Sequence, residues 1–128
     1  MAIRIVRLGT DRTPNEGVRI GTVRRPPRGV PKSRFASDNW YDVWLPDLAP
    51  APETVKRALA SETERQWGAF VRQYRTEMAR PEASRVLDVL AALSHGVNFS
   101  VGCYCEDEAR CHRSVLRQLL TDRKAEVV

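Results

Sequence analysis

Eleven consecutive residues hold all three cysteines of the chain and one of its two histidines: Cys103-Tyr104-Cys105-Glu106-Asp107-Glu108-Ala109-Arg110-Cys111-His112-Arg113. A thiolate is both a nucleophile and a soft metal ligand. Cys111 is followed directly by an imidazole and flanked by Arg110 and Arg113. Those cations and the positive end of a helix starting here favour the charged sulfur. They predict a Cys111 pKa below the ~8.5 of a free thiol. His112 or Glu106 can carry protons, and the planar fork of Arg113 suits phosphate or carboxylate. The reading is therefore Cys111, His112 and Glu106 as catalytic candidates, with Cys105 and Arg113 as ligand contacts. The plainer reading is packing: free cysteine is among the most buried residue types, and a first-turn histidine is often a cap. Arg113 can equally form an ion pair with Glu106 or Asp107. What favours chemistry is that these residues cluster at one strand-to-helix junction.

Structural zinc suits the spacing poorly. Its knuckles use C-x₂₋₄-C, whereas here one residue separates Cys103 from Cys105. Adjacent Cys111 and His112 are also expected to converge badly on one tetrahedral ion. No Cys-x-x-Cys pair is present for thioredoxin-like chemistry.

A strand must deliver these residues and a helix must receive them. Val97 to Cys105 reads as the strand, placing Cys103 and Cys105 on one face. Cys111 to Arg123 reads as the helix, with Val115, Leu116, Leu119 and Leu120 buried. Upstream, Ile3 to Leu8 and Val18 to Val23 are strands that can pair as a hairpin or join a sheet separately. Tyr41 to Leu45 is a short strand or extended segment. Pro52 opens a helix striped by Val55 and Leu59. Ser61 and Glu64 form a capping-box pattern for the next, whose apolar stripe is Trp67, Phe70, Val71, Tyr74 and Met78. Pro81 opens a third, with Val86, Leu87, Leu90 and Leu93 facing the core and Gly96 as its C′ residue. Ala125 to Val128 can start a last short strand. Strands separated by helices argue for an α/β fold: one domain over residues 1–128, a small mostly parallel sheet flanked by four helices. In such folds ligands bind where strands end and helices begin.

The segment Arg24-Arg25-Pro26-Pro27-Arg28-Gly29-Val30-Pro31-Lys32 is too rich in proline for regular structure. Arg24, Arg25, Arg28 and Lys32 make it a cationic loop, held stiff before an anion arrives. It lacks the G-x-x-x-x-G-K-[ST] of a P-loop. If the second and fourth strands are parallel neighbours, this loop meets the Cys111 turn in one positive pocket. Trp40, Tyr41 and Trp44 can stack bases beside those cations, though packing against a helix is the commoner use of such rings.

The 128 residues suffice for one core, and 42% are apolar and 29% charged. A formal charge of +5 favours anionic partners, either a small molecule or nucleic acid. No run is long enough to cross a bilayer, and Met1 to Gly9 has no signal-peptide core. A cytosolic protein with reduced cysteines is expected, and no membrane partner. A homodimer is the base-rate expectation for its assembly.

Several motifs together resemble the domain of unknown function 488 (DUF488) family. They are Gly21 to Lys32, Asn39-Trp40-Tyr41-Asp42, Leu48-Ala49-Pro50, Trp67, Phe70, Tyr74 to Met78, and Cys103-Tyr104-Cys105-Glu106 with Cys111-His112-Arg113-Ser114. The resemblance spans about Arg4 to Leu120. It implies a bacterial or archaeal α/β protein in which Arg24, Arg25, Arg28, Cys105, Glu106, Cys111, His112 and Arg113 form one site, and it supplies neither cofactor nor substrate. The leading functional reading is a basic Cys-His-Arg pocket for a phosphate-bearing ligand, a nucleotide or nucleic-acid component, acting through a thiol. The alternatives are a non-enzymatic nucleic-acid-binding module and a redox- or zinc-responsive protein.

Overall fold

The computed structural model describes residues 2–128. Four strands, β1 (Ile3–Arg7), β2 (Val18–Gly21), β3 (Val43–Trp44) and β4 (Phe99–Cys103), form one parallel sheet in the order β1-β4-β2-β3. β1 and β2 therefore do not pair as a hairpin. They flank β4, with Ile3 opposite Phe99 on one side and Val18 opposite Phe99 on the other. A strand hydrogen-bonded on both edges and covered on both faces should be buried throughout. All five residues of β4 are buried. Gly102 belongs to this packing, since a Cβ there would fall 2.7 Å from Leu8 Cδ2 and 2.9 Å from the Val6 carbonyl oxygen. Val127 adds a single parallel bridge to Ile3, so the expected final strand is one residue pair.

The helices are α1 (Pro52–Ala60), α2 (Glu64–Met78), α3 (Pro81–Leu93) and α4 (His112–Asp122). The main apolar core joins Phe70, Tyr74 and Met78 of α2, Leu87 and Leu90 of α3 and Leu116, Leu119 and Leu120 of α4 to Ile3, Phe99 and Val101. A second cluster holds Leu8, Val23, Tyr41, Cys103 and Cys111. Among the described residues no helix is long and apolar enough to cross a membrane.

Local details differ from the sequence pattern. The capping box of α2 is Thr63 with Gln66, not Ser61 with Glu64: Gln66 N–H donates to Thr63 Oγ1 at 3.1 Å, and Thr63 N–H to Gln66 Oε1 at 3.1 Å. Ser61 instead closes α1. Gly96 lies beyond the αR C-cap Ser94 and has no positive φ; its N–H simply returns to the Leu93 carbonyl at 2.9 Å. Leu93 does not face the core but is 47% exposed. Nor do the apolar residues of α1 form a core stripe. Leu59 is 80% exposed, and the buried residue of that helix is Thr54. Glu77 of α2 fastens α1 by its N-terminus, accepting from the Ala51 N–H at 2.7 Å and the Thr54 hydroxyl at 2.6 Å. A carboxylate so placed satisfies donors that a helix start leaves open.

Candidate functional site

Cys111 is the N-cap of α4 and His112 its first residue. β4 ends at Cys103, and a short 3₁₀ turn (Glu108–Arg110) carries the chain back to the helix start. This return brings all the sulfurs together. Cys103 Sγ lies 3.8 Å from Cys105 Sγ, and Cys111 Sγ lies 3.8 Å from His112 Nδ1. All three cysteines are free thiols.

The histidine ring is oriented by β2's continuation. His112 Nε2 lies 2.8 Å from the Thr22 carbonyl oxygen and 3.2 Å from Thr22 Oγ1. A carbonyl only accepts, so Nε2 carries the hydrogen, and Nδ1 is the nitrogen turned to the Cys111 sulfur. Thr22 is itself fixed, donating its N–H and hydroxyl to the Gly102 carbonyl at 2.9 and 3.0 Å. Thiol, imidazole and carbonyl thus follow one another in series, a geometry in which an imidazole can take a proton from a thiol.

Electrostatics single out one sulfur. Hydrogen bonds from the Cys103 and Cys105 thiols, and then the His112 imidazole, pull the Cys111 pKa down against its burial. Cys103 moves the opposite way, raised by its contacts with Cys105 and Cys111 and by burial. For Cys105, Cys103 lowers the value while Cys111 and burial raise it, and the net is upward. The cause at Cys111 is therefore neighbouring thiols and imidazole rather than the flanking arginines expected from sequence. Arg110 pairs instead with Glu64 and lies 5.4 Å from the centre of the Trp67 ring.

A cavity of about 490 Å³ opens over these sulfurs. Cys103, Cys105, Cys111 and His112 line it together with Arg24 and Arg25 of the proline-rich loop. Two segments some eighty positions apart in sequence share one hollow because β2 and β4 are parallel neighbours. The opposite wall is α1, through Val55, Lys56, Ala58 and Leu59. Val55 and Leu59 of α1 thus face the cavity, while Ala58 borders it and also packs on the main core.

The remaining predicted residues lie elsewhere or are engaged otherwise. Arg24 donates to the carbonyls of Pro46, Ala49 and Pro50 and so fixes the proline-rich connector, residues 46–52, that leads into α1. Arg28 lines a neighbouring cleft, and Lys32 lies exposed in a 3₁₀ turn (Lys32–Arg34), lining neither hollow. The Glu106 side chain is 84% exposed, 3.7 Å from Arg7 and outside the residues lining the sulfur cavity. Arg113 is buried. It pairs with neither Glu106 nor Asp107 but donates to the Cys105 carbonyl at 2.6 Å, and its Nε has no partner among the described residues.

Cys103, Cys111 and His112 could also hold a soft cation, since their donor atoms all lie within 4.8 Å of one another and Cys105 is adjacent to Cys103. Adjacent Cys111 and His112 do converge. The extended N-cap backbone of Cys111 (φ −132°, ψ 154°) places its sulfur beside the helix's first side chain.

A family model described as "Active DUF488-N3 subclade" matches residues 3–124. The chain belongs to the DUF488 family. No curated protein and no solved structure matches it. The match includes both walls of the cavity, so the fold and the sulfur cluster lie within the DUF488 unit. Sequence reasoning missed Thr22, Lys56 and Tyr104 of this DUF488 protein. Thr22 was detectable only as the polar residue ending an otherwise apolar strand face. Lys56 lies on a helix whose orientation no local pattern reveals.

Proposed function

We propose that the protein binds a phosphate-bearing ligand, a nucleotide or nucleic-acid component, in the cavity above Cys111 and acts on it through that thiol. The observation that carries this reading is Cys111 Sγ meeting His112 Nδ1, with the ring's other nitrogen tied to Thr22, at a cavity bordered by Arg25 and Lys56. Arg25 and Lys56 are exposed and have no ion-pair partner among the described residues, which leaves them available to an anion. The subclade's description as active agrees with chemistry rather than binding alone. The Cys111 proton passes to His112 Nδ1, and the sulfur bonds to the electrophilic phosphorus or acyl carbon. The bond from that atom to the leaving oxygen breaks, and the imidazole returns its proton to that oxygen. Water then displaces the sulfur-bound group and restores the thiol.

The test is the rate of Cys111 alkylation by iodoacetamide against pH, with and without inorganic phosphate or a nucleoside monophosphate. A midpoint below the ~8.5 of a free thiol, together with protection by the anion, is expected. A midpoint at or above the free-thiol value, or no protection, overturns the reading.

A second reading has its own observation. Four soft donors crowd together here, and the 3.8 Å separation of Cys103 and Cys105 matches the edge of about 3.8 Å of a tetrahedron with zinc–sulfur bonds of about 2.3 Å. Zinc held by Cys103, Cys105, Cys111 and His112 would close the site. One equivalent of tightly bound zinc in purified protein would favour this reading over the free nucleophile.

A further inference from the structure

A second cleft, of about 900 Å³, adjoins the sulfur cavity. Arg25 and Tyr104 line both and form their shared wall. Three arginines, Arg7, Arg25 and Arg28, border the second cleft around Trp40. Arg25 and Arg28 are exposed and make no side-chain hydrogen bond or ion pair among the described residues, whereas Arg7 retains only a 3.3 Å bond to the Tyr104 carbonyl and a 3.7 Å pair with Glu106. Pro26 and Pro27 separate Arg25 from Arg28, so the two cations are held apart by a stiff backbone rather than gathered by flexibility. Trp40 is half-buried and set edge-to-face against Tyr104, with ring centres 5.8 Å apart. Its ring rests on Gly9, which has φ +88° and where a Cβ would lie 2.9 Å from the indole. An aromatic seated on bare backbone and bordered by two uncommitted guanidinium groups, Arg25 and Arg28, offers one ligand chemistry at both levels: a planar base to stack and a phosphodiester to neutralise.

We propose that this cleft binds a nucleotide of single-stranded nucleic acid, so that the next nucleotide along the strand enters the sulfur cavity past Arg25 and Tyr104. The inference rests on the proposed phosphate-bearing ligand and adds that the ligand is a polymer with a second foothold. Each hollow is in the volume range of a ligand-sized pocket, so the pair accommodates more than one nucleotide. A single strand is specified because stacking on Trp40 needs a base free of its own neighbours.

The experiment is fluorescence anisotropy of the full chain with a labelled thymidine hexanucleotide, at low and moderate salt, alongside thymidine monophosphate as competitor. The hexanucleotide should bind at least tenfold more tightly than the monophosphate and weaken steeply with salt. Arg28→Glu and Trp40→Leu should each weaken it about tenfold or more while leaving phosphate protection of Cys111 unchanged. Arg28 is exposed and open to solvent, so its variant keeps the test decisive if Trp40→Leu disturbs folding. Equal affinity for hexanucleotide and monophosphate, wild-type binding by Arg28→Glu, or tighter binding of a duplex overturns the inference. Loss of phosphate protection with hexanucleotide binding intact would remove the sulfur-cavity reading and leave the cleft standing.

Discussion

Glu16→Gln tests the device that holds the cleft together. Arg19 is fully buried and Glu16 is 2% exposed, and they meet through two hydrogen bonds of 2.7 and 3.0 Å. Ser100 donates its hydroxyl to Glu16 Oε2 at 2.7 Å and the Thr13 N–H donates to Oε1 at 3.2 Å. Arg19 also donates to the carbonyls of Thr10 and Asn39 at 2.8 Å each, which ties the chain beside Gly9 to the chain beside Trp40. Burial would raise the Glu16 pKa, but the hydrogen bonds from Arg19, Ser100 and Thr13, and the Arg19 charge, bring it from 4.5 down to about 2. A carboxylate depressed in the folded state stabilises it above the unfolded pKa, and that stability is lost as pH falls from about 4.5 to about 2. At about 1.4 kcal/mol per unit the contribution is about 3 kcal/mol. The amide leaves the Arg19 charge buried without its counter-ion, a loss of about 3–5 kcal/mol at pH 7. Against a typical total of about 5–15 kcal/mol the variant should be folded but marginal. Urea unfolding followed by tryptophan fluorescence at pH 7, 5, 4 and 3 gives the difference between the two proteins. That difference should be largest at pH 7 and shrink towards pH 3. A difference below about 1 kcal/mol at pH 7, or one that stays flat with pH, would refute the electrostatic argument.

Two further outcomes follow from the sulfur cavity. His112→Gln keeps an amide nitrogen for the Thr22 carbonyl but removes the nitrogen facing Cys111, and alkylation of Cys111 at pH 7 should slow at least tenfold, measured by mass spectrometry after timed quenching; an unchanged rate would assign the sulfur's reactivity to its neighbouring thiols alone. Leu59→Glu changes a residue that is 80% exposed but lines the cavity, so the unfolding free energy measured in urea should change by no more than about 0.5 kcal/mol while phosphate protection of Cys111 weakens severalfold. Unchanged protection would show that α1 does not bound the anion's position.

Those features that depend on local pattern were readable from the chain. β4 announces itself by Phe99, Val101 and Cys103, buried because both edges and faces of the strand are covered, while the polar Ser100 between them gives no local sign of the Glu16 it meets. The meeting of the Arg24–Arg25 corner with the cysteines followed from one topological condition, parallel pairing of β2 and β4, and that condition holds. What local pattern could not reveal is where long side chains end. Arg24 and Arg28 are four residues apart in one loop, yet one caps carbonyls of the proline connector and the other borders a different cleft. Glu106 follows Cys105 directly but turns outward to Arg7 once the strand has ended. Charge type predicts the kind of partner, whereas backbone direction decides which partner is met. The capping box shows the same limit at short range. Ser61 and Thr63 both precede a residue able to complete the motif three positions on, and the end of α1 selects the second.

The hold of Glu77 on the start of α1 has a consequence for how such a protein can diversify. Cys111 and His112 are buried at the start of α4, whereas the facing wall, α1, packs on α2 and has its N-terminus held by the Glu77 carboxylate. Substitutions along that wall can reshape what enters without disturbing the groups beneath. On the proposed function, selectivity and reactivity are housed in separately adjustable parts of the fold.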